Sequence, residues 1–203
     1  MSERSLEAVS LAGPAGRLQV VVQDPGADRR GIALIAHPHP LYGGTLDNKV
    51  VQTLAKAFYA AGYAALRVNF RGVGESEGVY DDGRGEVEDF AALAAYARQR
   101  FPETALALAG FSFGGFVAAA LAQRLPISKL VLIAPAVGRF PVAEVAANTL
   151  VVHGEEDDVV PFKDVLDWAR PQNLPVVTFP GTGHFFHGVL VRLQQLVYDH
   201  ARA

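Results

Sequence analysis

The sequence contains no cysteine. This absence excludes disulfide bonds, thiolate metal sites and a cysteine nucleophile, so covalent catalysis would have to use another side chain. The chain also has little excess charge, because 18 basic residues stand against 21 acidic ones and the formal net charge is −3. Such a balance offers no basic surface for nucleic acid and no polybasic segment for a membrane.

Long apolar runs are absent as well. No apolar stretch approaches the ~20 residues of a membrane-spanning helix, and residues 1–16 do not have the pattern of a signal peptide. Together with the lack of cysteine, this predicts a cytoplasmic protein that does not enter a membrane. No repeat or low-complexity linker divides the 203 residues, so we expect one domain over residues 1–203.

What the chain does contain is an alternation of short apolar runs with longer segments of helical periodicity. Half of its residues are hydrophobic, which is enough for a buried core. The pattern predicts strands at 18–22, 32–36, 63–70, 105–109, 129–133, 149–152 and 176–179, and helices at 46–61, 86–100, 113–124, 165–169 and 187–201. Strands that are apolar on both faces and alternate with helices predict an α/β fold, in which helices cover both faces of a parallel sheet.

The segment Gly110-Phe-Ser-Phe-Gly114 lies between a predicted strand and a predicted helix and matches the pattern G-x-S-x-G. A serine on a sharp strand-to-helix turn has a strained backbone, so very small residues must stand two positions away on each side. The turn exposes the Ser112 hydroxyl, and the following helix presents its first amides to developing negative charge. Because the pattern is short, a glycine-rich packing turn with an incidental serine is the alternative interpretation.

A serine nucleophile needs a base, and the base needs a third group to orient it. Two later segments supply these in the chain order Ser, Asp, His. An acidic loop follows the predicted strand 149–152, and spacing alone does not choose among its carboxylates, Glu155, Glu156, Asp157 and Asp158. The base candidate is His184, in a glycine-rich loop after the strand 176–179. We interpret the remaining candidates, His153, His187 and His200, as structural or exposed.

Two further patterns are interpreted as structural. His37 and His39 have a spacing that could suggest a metal site, but no third ligand stands beside them, so we expect neither a metal nor a cofactor. The segment 71–78 is rich in glycine but does not have the spacing G-x-G-x-x-G. Its acidic residues would repel phosphate, and we interpret it as a tight turn with an acidic surface loop.

Five ordered blocks carry a family resemblance. They are His37-Pro-His-Pro-Leu-Tyr-Gly-Gly44, Asn69-Phe-Arg-Gly-Val-Gly-Glu-Ser-Glu-Gly78, Gly110-Phe-Ser-Phe-Gly-Gly115, His153-Gly-Glu-Glu-Asp-Asp-Val-Val-Pro161 and Gly183-His-Phe-Phe-His-Gly188. In this order they resemble the α/β-hydrolase superfamily, most closely its small cap-less bacterial serine hydrolases related to dienelactone hydrolases and short-chain esterases. The resemblance spans about residues 30 to 190. It implies a mostly parallel sheet of about seven or eight strands with helices on both faces and no cap domain.

The resemblance also implies a catalytic triad. The family pattern HG-x-x-D-x-x-VP places the acid at Asp157, and the block around Gly183 places the base at His184, with Ser112 as the nucleophile of the nucleophile elbow. Dienelactone hydrolases themselves use a cysteine where this chain has Ser112, so the resemblance does not extend to dienelactone chemistry.

An oxyanion hole is implied by the same resemblance. One donor is the backbone N–H of Phe113, and the second comes from the loop after the strand 32–36. Pro38 and Pro40 have no N–H, so the second donor is His39 or Leu41, and the family's His-Gly pair favours His39.

The expected function is cleavage of a small-molecule carboxylic ester or thioester through an acyl-enzyme. The residues that could line the substrate pocket, several of which could equally belong to the core, are Leu41, Tyr42, Phe111, Phe113, Phe140, Phe185 and Phe186. A peptidase, amidase or acyltransferase would use the same triad, and an aminopeptidase would need an acidic pocket for the substrate amine. A non-catalytic ligand-binding relative is a further alternative, and the oligomeric state is not predicted.

Overall fold

A mostly parallel sheet forms the centre of the molecule. The computed structural model describes residues 6–102 and 104–203, and within these ranges the chain forms an eight-stranded sheet with the order β1-β2-β4-β3-β5-β6-β7-β8. The strands are β1 (Glu7–Gly13), β2 (Gly16–Gln23), β3 (Gly31–Ala36), β4 (Tyr63–Val68), β5 (Leu106–Phe111), β6 (Lys129–Ile133), β7 (Leu150–Gly154) and β8 (Val176–Phe179). Strands β3 to β8 pair in parallel, whereas β2 is antiparallel to both β1 and β4. The prediction of a mostly parallel α/β sheet is confirmed.

Helices cover both faces of this sheet. They are α1 (Lys49–Ala60), α2 (Arg84–Arg100), α3 (Phe113–Ala122), α4 (Phe162–Ala169) and α5 (Leu190–Arg202), with short 3₁₀ turns at Pro40–Tyr42 and Arg170–Gln172. Helices α1 and α5 pack on one face, and α2, α3 and α4 pack on the other, so the sheet separates two apolar cores. Every residue of β3 and β5 is buried, which explains why these strands appear in the sequence as continuous apolar runs.

The structure adds one strand that the sequence analysis missed. Strand β1 is an edge strand whose residues are mostly exposed or half-buried, so it lacks the apolar run by which the other strands were predicted. Two predicted helices also begin later than expected. Helix α1 begins at Lys49 because the Asn48 side chain accepts hydrogen bonds from the N–H groups of Val50 and Val51 and caps the helix. Helix α5 begins at Leu190, after Gly188 in a left-handed conformation.

No cap domain is inserted between β6 and β7. Residues 134–149, which connect β6 to β7, contain no helix, so the predicted absence of a cap domain is confirmed. In the part of the chain that the structure describes, no helix is long and apolar enough to cross a membrane. Because β3, β5, β6, β7 and β8 run in parallel, the loops at their carboxyl ends meet along one edge of the sheet.

Candidate active site

Ser112 stands on a strained turn between β5 and α3. Its backbone has φ 56° and ψ −116°, a conformation that residues other than glycine rarely adopt. A Cβ atom on Gly110 would lie 2.0 Å from the carbonyl oxygen of Gly114, and one on Gly114 would lie 2.3 Å from the carbonyl oxygen of Ala36. Both positions therefore require glycine. The Ser112 N–H donates to the carbonyl oxygen of Ile133 at 2.9 Å, which fixes the turn against β6.

Asp157 and His184 meet at the same edge of the sheet. Asp157 follows β7, His184 follows β8, and the Nδ1 atom of His184 lies 2.7 Å from Oδ2 of Asp157. Both residues are buried. A carboxylate only accepts hydrogen bonds, so Nδ1 carries the proton and donates it to Asp157. In the neutral ring, Nε2 of His184 is then left as a proton acceptor.

The Asp157 carboxylate accepts further hydrogen bonds from its own loop. Its Oδ1 atom accepts from the N–H groups of Val159 at 2.9 Å and Val160 at 2.7 Å. Burial favours the neutral acid, but the hydrogen bond from His184 and the further bonds and charges around the carboxylate lower the pKa of Asp157 below its ordinary value. The group is therefore an anion at neutral pH.

The other acidic residues of this loop point elsewhere. Glu155, Glu156 and Asp158 are exposed, and the Glu155 carboxylate accepts a hydrogen bond from the Gly181 N–H at 2.9 Å. Of the four carboxylates that spacing left open, Asp157 is the one hydrogen-bonded to His184 within the described ranges. The other histidine of this segment, His187, is exposed.

Ser112 and His184 line one cavity of about 330 Å³, which opens at the carboxyl edge of the sheet. Its apolar walls are formed by Tyr42, Phe113, Phe140, Val159, Val160 and Phe185. Among residues 6–102 and 104–203, no side chain accepts or donates a hydrogen bond at the Ser112 hydroxyl, His184 included. In enzymes without substrate, such catalytic hydrogen bonds are often long and tighten only in the complex.

Known proteins share this fold. A family model described as serine aminopeptidase, S33, matches residues 43–147, just over half of the chain. An α/β serine hydrolase without lid from Xanthomonas campestris is 38% identical, with a TM-score of 0.91 over 97% of this chain and 94% of that one. An α/β serine hydrolase homologue from Coxiella burnetii is 40% identical, with a TM-score of 0.89 over 95% of this chain and 96% of that one.

The chain belongs to the α/β-hydrolase superfamily. A monoacylglycerol lipase from Mycolicibacterium smegmatis is 33% identical over 151 residues, which are 70% of this chain and 52% of the lipase. This α/β hydrolase therefore spans about half the length of that relative.

Some of the predicted pocket residues line the cavity of this hydrolase, and others do not. Tyr42, Phe113, Phe140 and Phe185 line it. Leu41 does not, because it lies on the 3₁₀ turn Pro40–Tyr42 with 67% of its surface exposed to solvent.

The prediction is also wrong for Phe111 and Phe186, which are fully buried in the core beneath α1 and α5. Phe111 ends β5, and its ring instead packs against the His184 ring with 4.9 Å between centroids. A larger cavity of about 400 Å³ lies at the amino ends of β6 and β7 and contains none of the predicted site residues.

Two residues that line the cavity of the hydrolase have backbone N–H groups without a partner among the described residues. Phe113 and His39 both line it, and no hydrogen bond among the described residues uses either N–H group. The Leu41 N–H, by contrast, donates to Nδ1 of His39 at 3.2 Å. Of the two candidates for the second oxyanion donor, His39 is therefore the one whose amide is free. Its imidazole donates from Nε2 to the Tyr80 hydroxyl at 3.1 Å and so belongs to the cavity wall.

His37 is a buried structural residue that fixes the loop before His39. Its Nε2 accepts a hydrogen bond from the Phe70 N–H at 3.1 Å, so its Nδ1 carries the proton and donates to the carbonyl oxygen of Pro38 at 2.6 Å. Burial lowers the pKa of His37 to about 4 and keeps the ring neutral. Since the Pro38 oxygen and the His39 N–H belong to one planar peptide and point in opposite directions, this bond also orients the His39 N–H.

No metal site accompanies these histidines. Within residues 6–102 and 104–203, no group of three or more His, Asp or Glu side chains could hold an ion.

The segment 71–78, which was interpreted as a tight turn with an acidic surface loop, is tied to a neighbouring helix. Its Arg71 forms an ion pair with the buried Asp89 of α2 at 2.7 Å. That segment is therefore anchored to α2.

His153 is a buried residue beside Asp157. Of the two interpretations, structural or exposed, its buried ring fits the first, with Nε2 at 2.9 Å from the carbonyl oxygen of Val160 and 3.4 Å from Oδ2 of Asp157. A carbonyl oxygen only accepts, so Nε2 carries the proton. Burial lowers the pKa of His153, so the ring is neutral. In the sequence, the spacing of four residues between His153 and Asp157 was the signal that these two side chains could lie close together.

Proposed function

We propose that this α/β hydrolase cleaves a small-molecule carboxylic ester or thioester through an acyl-enzyme on Ser112. The observation that carries the proposal is the His184–Asp157 hydrogen bond of 2.7 Å beside a cavity that Ser112 and His184 both line. Three residues that are far apart in the chain thus supply a nucleophile, a base with a free Nε2 and a buried anion behind that base.

In the first half of the reaction, the Ser112 oxygen attacks the acyl carbonyl carbon while Nε2 of His184 takes the hydroxyl proton. Asp157 holds the ring in the required tautomer and stabilises the imidazolium that forms. The carbonyl oxygen becomes an oxyanion, which accepts hydrogen bonds from the N–H groups of Phe113 and His39. The carbon–oxygen or carbon–sulfur bond to the leaving group then breaks, and Nε2 of His184 donates its proton to the departing alcohol or thiol.

In the second half, water replaces the leaving group. Nε2 of His184 takes a proton from the water as its oxygen attacks the acyl carbon bound to Ser112. The same two N–H groups hold the second oxyanion. Collapse of this intermediate returns the proton to the Ser112 oxygen and releases the carboxylic acid.

The lining of the cavity favours an ester or thioester over an aminopeptidase substrate. An aminopeptidase needs a carboxylate to bind the ammonium group of its substrate, and no Asp or Glu of the described residues lines this cavity. The apolar walls suit an acyl chain, and the similarity to a monoacylglycerol lipase supports ester chemistry. Because no cap encloses the cavity, we expect short or extended acyl groups to be preferred.

The test compares ester and amide hydrolysis by matched serine variants. Ser112→Ala should lower kcat/KM for 4-nitrophenyl acetate, butyrate and octanoate by at least about 10⁴-fold. Ser10→Ala, on the exposed edge strand β1, is the control and should hydrolyse these esters like the unchanged protein.

Full ester turnover by Ser112→Ala would overturn the assignment of the nucleophile. Faster release of nitroaniline from aminoacyl nitroanilides than of nitrophenol from the esters would favour the peptidase alternative.

A further inference from the structure

One charged side chain, Arg139, stands at the mouth of the cavity. The loop from β6 to β7 places it there, at the same edge of the sheet as Ser112 and His184. His39 also lines the cavity, and burial together with the positive charge of Arg139 lowers the pKa of His39, so that ring is neutral. Among the described lining residues, Arg139 is therefore the side chain with a fixed formal charge.

The Arg139 guanidinium has no partner in the part of the chain that the structure describes. Most arginines here do have one: Arg67, Arg71, Arg100 and Arg124, for example, all form ion pairs with carboxylates. Arg139 takes part in no hydrogen bond or ion pair among residues 6–102 and 104–203, so its five N–H donors remain available.

Two carboxylates lie near this region, and neither pairs with Arg139. Asp82 is close enough to His39 to raise the pKa of that ring, in opposition to Arg139. Asp164 lies beneath Gly138, where its Oδ2 atom would be 2.9 Å from an added Cβ.

The backbone that presents Arg139 is firmly held. The Phe140 N–H donates to the carbonyl oxygen of Ala136 at 3.1 Å, and Val137 and Phe140 form a β-bridge. The Phe140 ring stacks on Phe116 of α3 with 5.0 Å between centroids. Arg139 is thus an exposed cationic side chain on a turn that hydrogen bonds and ring packing hold in place, which is a suitable arrangement for binding an anionic group at a cavity entrance.

Two helix N-termini at the cavity also contribute positive electrostatic potential. Asn48 caps the N-terminus of α1, and Phe113 begins α3, and both residues line the cavity. The first turn of a helix has a partial positive charge, so both helices add positive potential at this site. No Asp or Glu of the described residues lines the cavity, and the nearest negative charges are Asp157, which is paired with His184, and Asp82, near His39.

We propose that Arg139 binds an anionic group of the substrate, so that the preferred substrates are esters or thioesters carrying a carboxylate or phosphate beyond an apolar segment. The inference rests on the proposed function, because it assigns the substrate class of the same cavity. The apolar walls bind the segment next to the reacting carbonyl, and the guanidinium binds the anion at the entrance. The anion can belong to the acyl part or to the leaving group.

Two matched substrate pairs distinguish an anion on the acyl part from an anion on the leaving group. For the acyl part, 4-nitrophenyl hydrogen adipate and suberate are compared with the neutral 4-nitrophenyl hexanoate and octanoate. For the leaving group, butyryl-coenzyme A is compared with butyryl-N-acetylcysteamine, a thioester without phosphates. The measured quantity is the ratio of kcat/KM between the anionic and the neutral member of each pair.

The expected result is a ratio above one in at least one pair, which falls about tenfold in Arg139→Gln, mainly through KM. Arg139→Lys should keep part of the preference. Arg192→Gln, which removes the same charge from the exposed surface of α5, should keep all of it. The ratio is insensitive to a general loss of active protein, since both substrates are measured on one preparation.

The outcomes separate the inference from the proposed function. Hydrolysis of the neutral esters with a ratio that Arg139→Gln does not change would overturn the role of Arg139 and leave the esterase proposal standing. An equal fall in Arg192→Gln would also overturn it, because net charge alone would then explain the preference. Absence of hydrolysis for all members of both pairs would overturn both proposals.

Discussion

The buried ring of His153 lies against the carboxylate of Asp157, with 3.4 Å between Nε2 and Oδ2. The same Oδ2 accepts the hydrogen bond from His184 at 2.7 Å. Val160 connects the two residues, because its N–H donates to Asp157 and its carbonyl oxygen accepts from His153. The Asp157 loop is therefore held by His153 on β7 as well as by His184 at the cavity.

This arrangement predicts that His153 positions the acid of the proposed triad. His153→Leu removes the N–H that donates to the Val160 carbonyl oxygen beside Asp157, and it should lower kcat/KM for 4-nitrophenyl butyrate by up to about tenfold, since a hydrogen bond between neutral groups contributes roughly 0.5–1.5 kcal/mol. His153→Gln can restore an N–H donor and should recover part of the rate. Thermal unfolding of both variants is measured alongside. Full activity of a folded His153→Leu protein would contradict the prediction.

Asp157 itself should be needed for its charge. Asp157→Asn replaces the acceptor Oδ2 by a group that can donate, so His184 loses the tautomer with a free Nε2, and kcat should fall about 10⁴-fold. Asp158→Asn is the matched control, because Asp158 is the exposed neighbour in the same loop and should leave kcat unchanged. Steady-state kinetics on one nitrophenyl ester suffice. If Asp158→Asn were instead the inactive variant, the acid would be wrongly assigned.

The oxyanion hole can be tested at a single position. His39 has φ −53°, which lies in the range that proline adopts, so His39→Pro removes the N–H without straining φ at this position. We expect kcat to fall about 10²–10³-fold. His39→Ala removes the imidazole but keeps the N–H, and its kcat should stay within about tenfold of the unchanged protein. Equal losses in the two variants would show that the imidazole, and not the amide, is the important group.

The buried His37 makes stability depend on pH. Its pKa is about 4 in the folded protein, whereas the pKa of an unfolded histidine is about 6.5. Between these values the unfolded chain binds a proton that the folded chain does not, so the free energy of unfolding falls as the pH decreases from about 6.5 to about 4. The full difference is about 3 kcal/mol. Urea unfolding at pH 7, 6 and 5 measures it, and His37→Asn should show a smaller decrease. An equal decrease in that variant would assign the effect to other groups.

The sequence predicts the buried centre of this fold better than its edge. Strands β3 and β5 lie between two helical layers, so both of their faces must be apolar, and the runs are visible in the sequence. Strand β1 needs only one half-buried face, which leaves no apolar run. The start of α1 was placed too early because Leu46 belongs to the core without belonging to the helix.

The sequence predicts where the candidate site lies better than it predicts which residues form it. The elbow glycines and the order Ser, Asp, His point to the carboxyl edge, but spacing did not distinguish Asp157 from its acidic neighbours. That distinction comes from the turn in which Oδ1 of Asp157 accepts two N–H groups and Oδ2 faces His184. Likewise, Phe111 and Phe113 look equivalent in the sequence. Their positions differ because Phe111 ends a strand and packs under α5, whereas Phe113 begins α3 at the cavity.

The most direct test of the central claim is the location of a covalent adduct. The protein is treated with a fluorophosphonate, which reacts with activated serines, and its peptides are analysed by mass spectrometry. The account predicts one equivalent of adduct, on Ser112, and a strongly slowed reaction in His184→Ala. An adduct on a different residue, or continued ester hydrolysis by protein that carries no adduct, would contradict it.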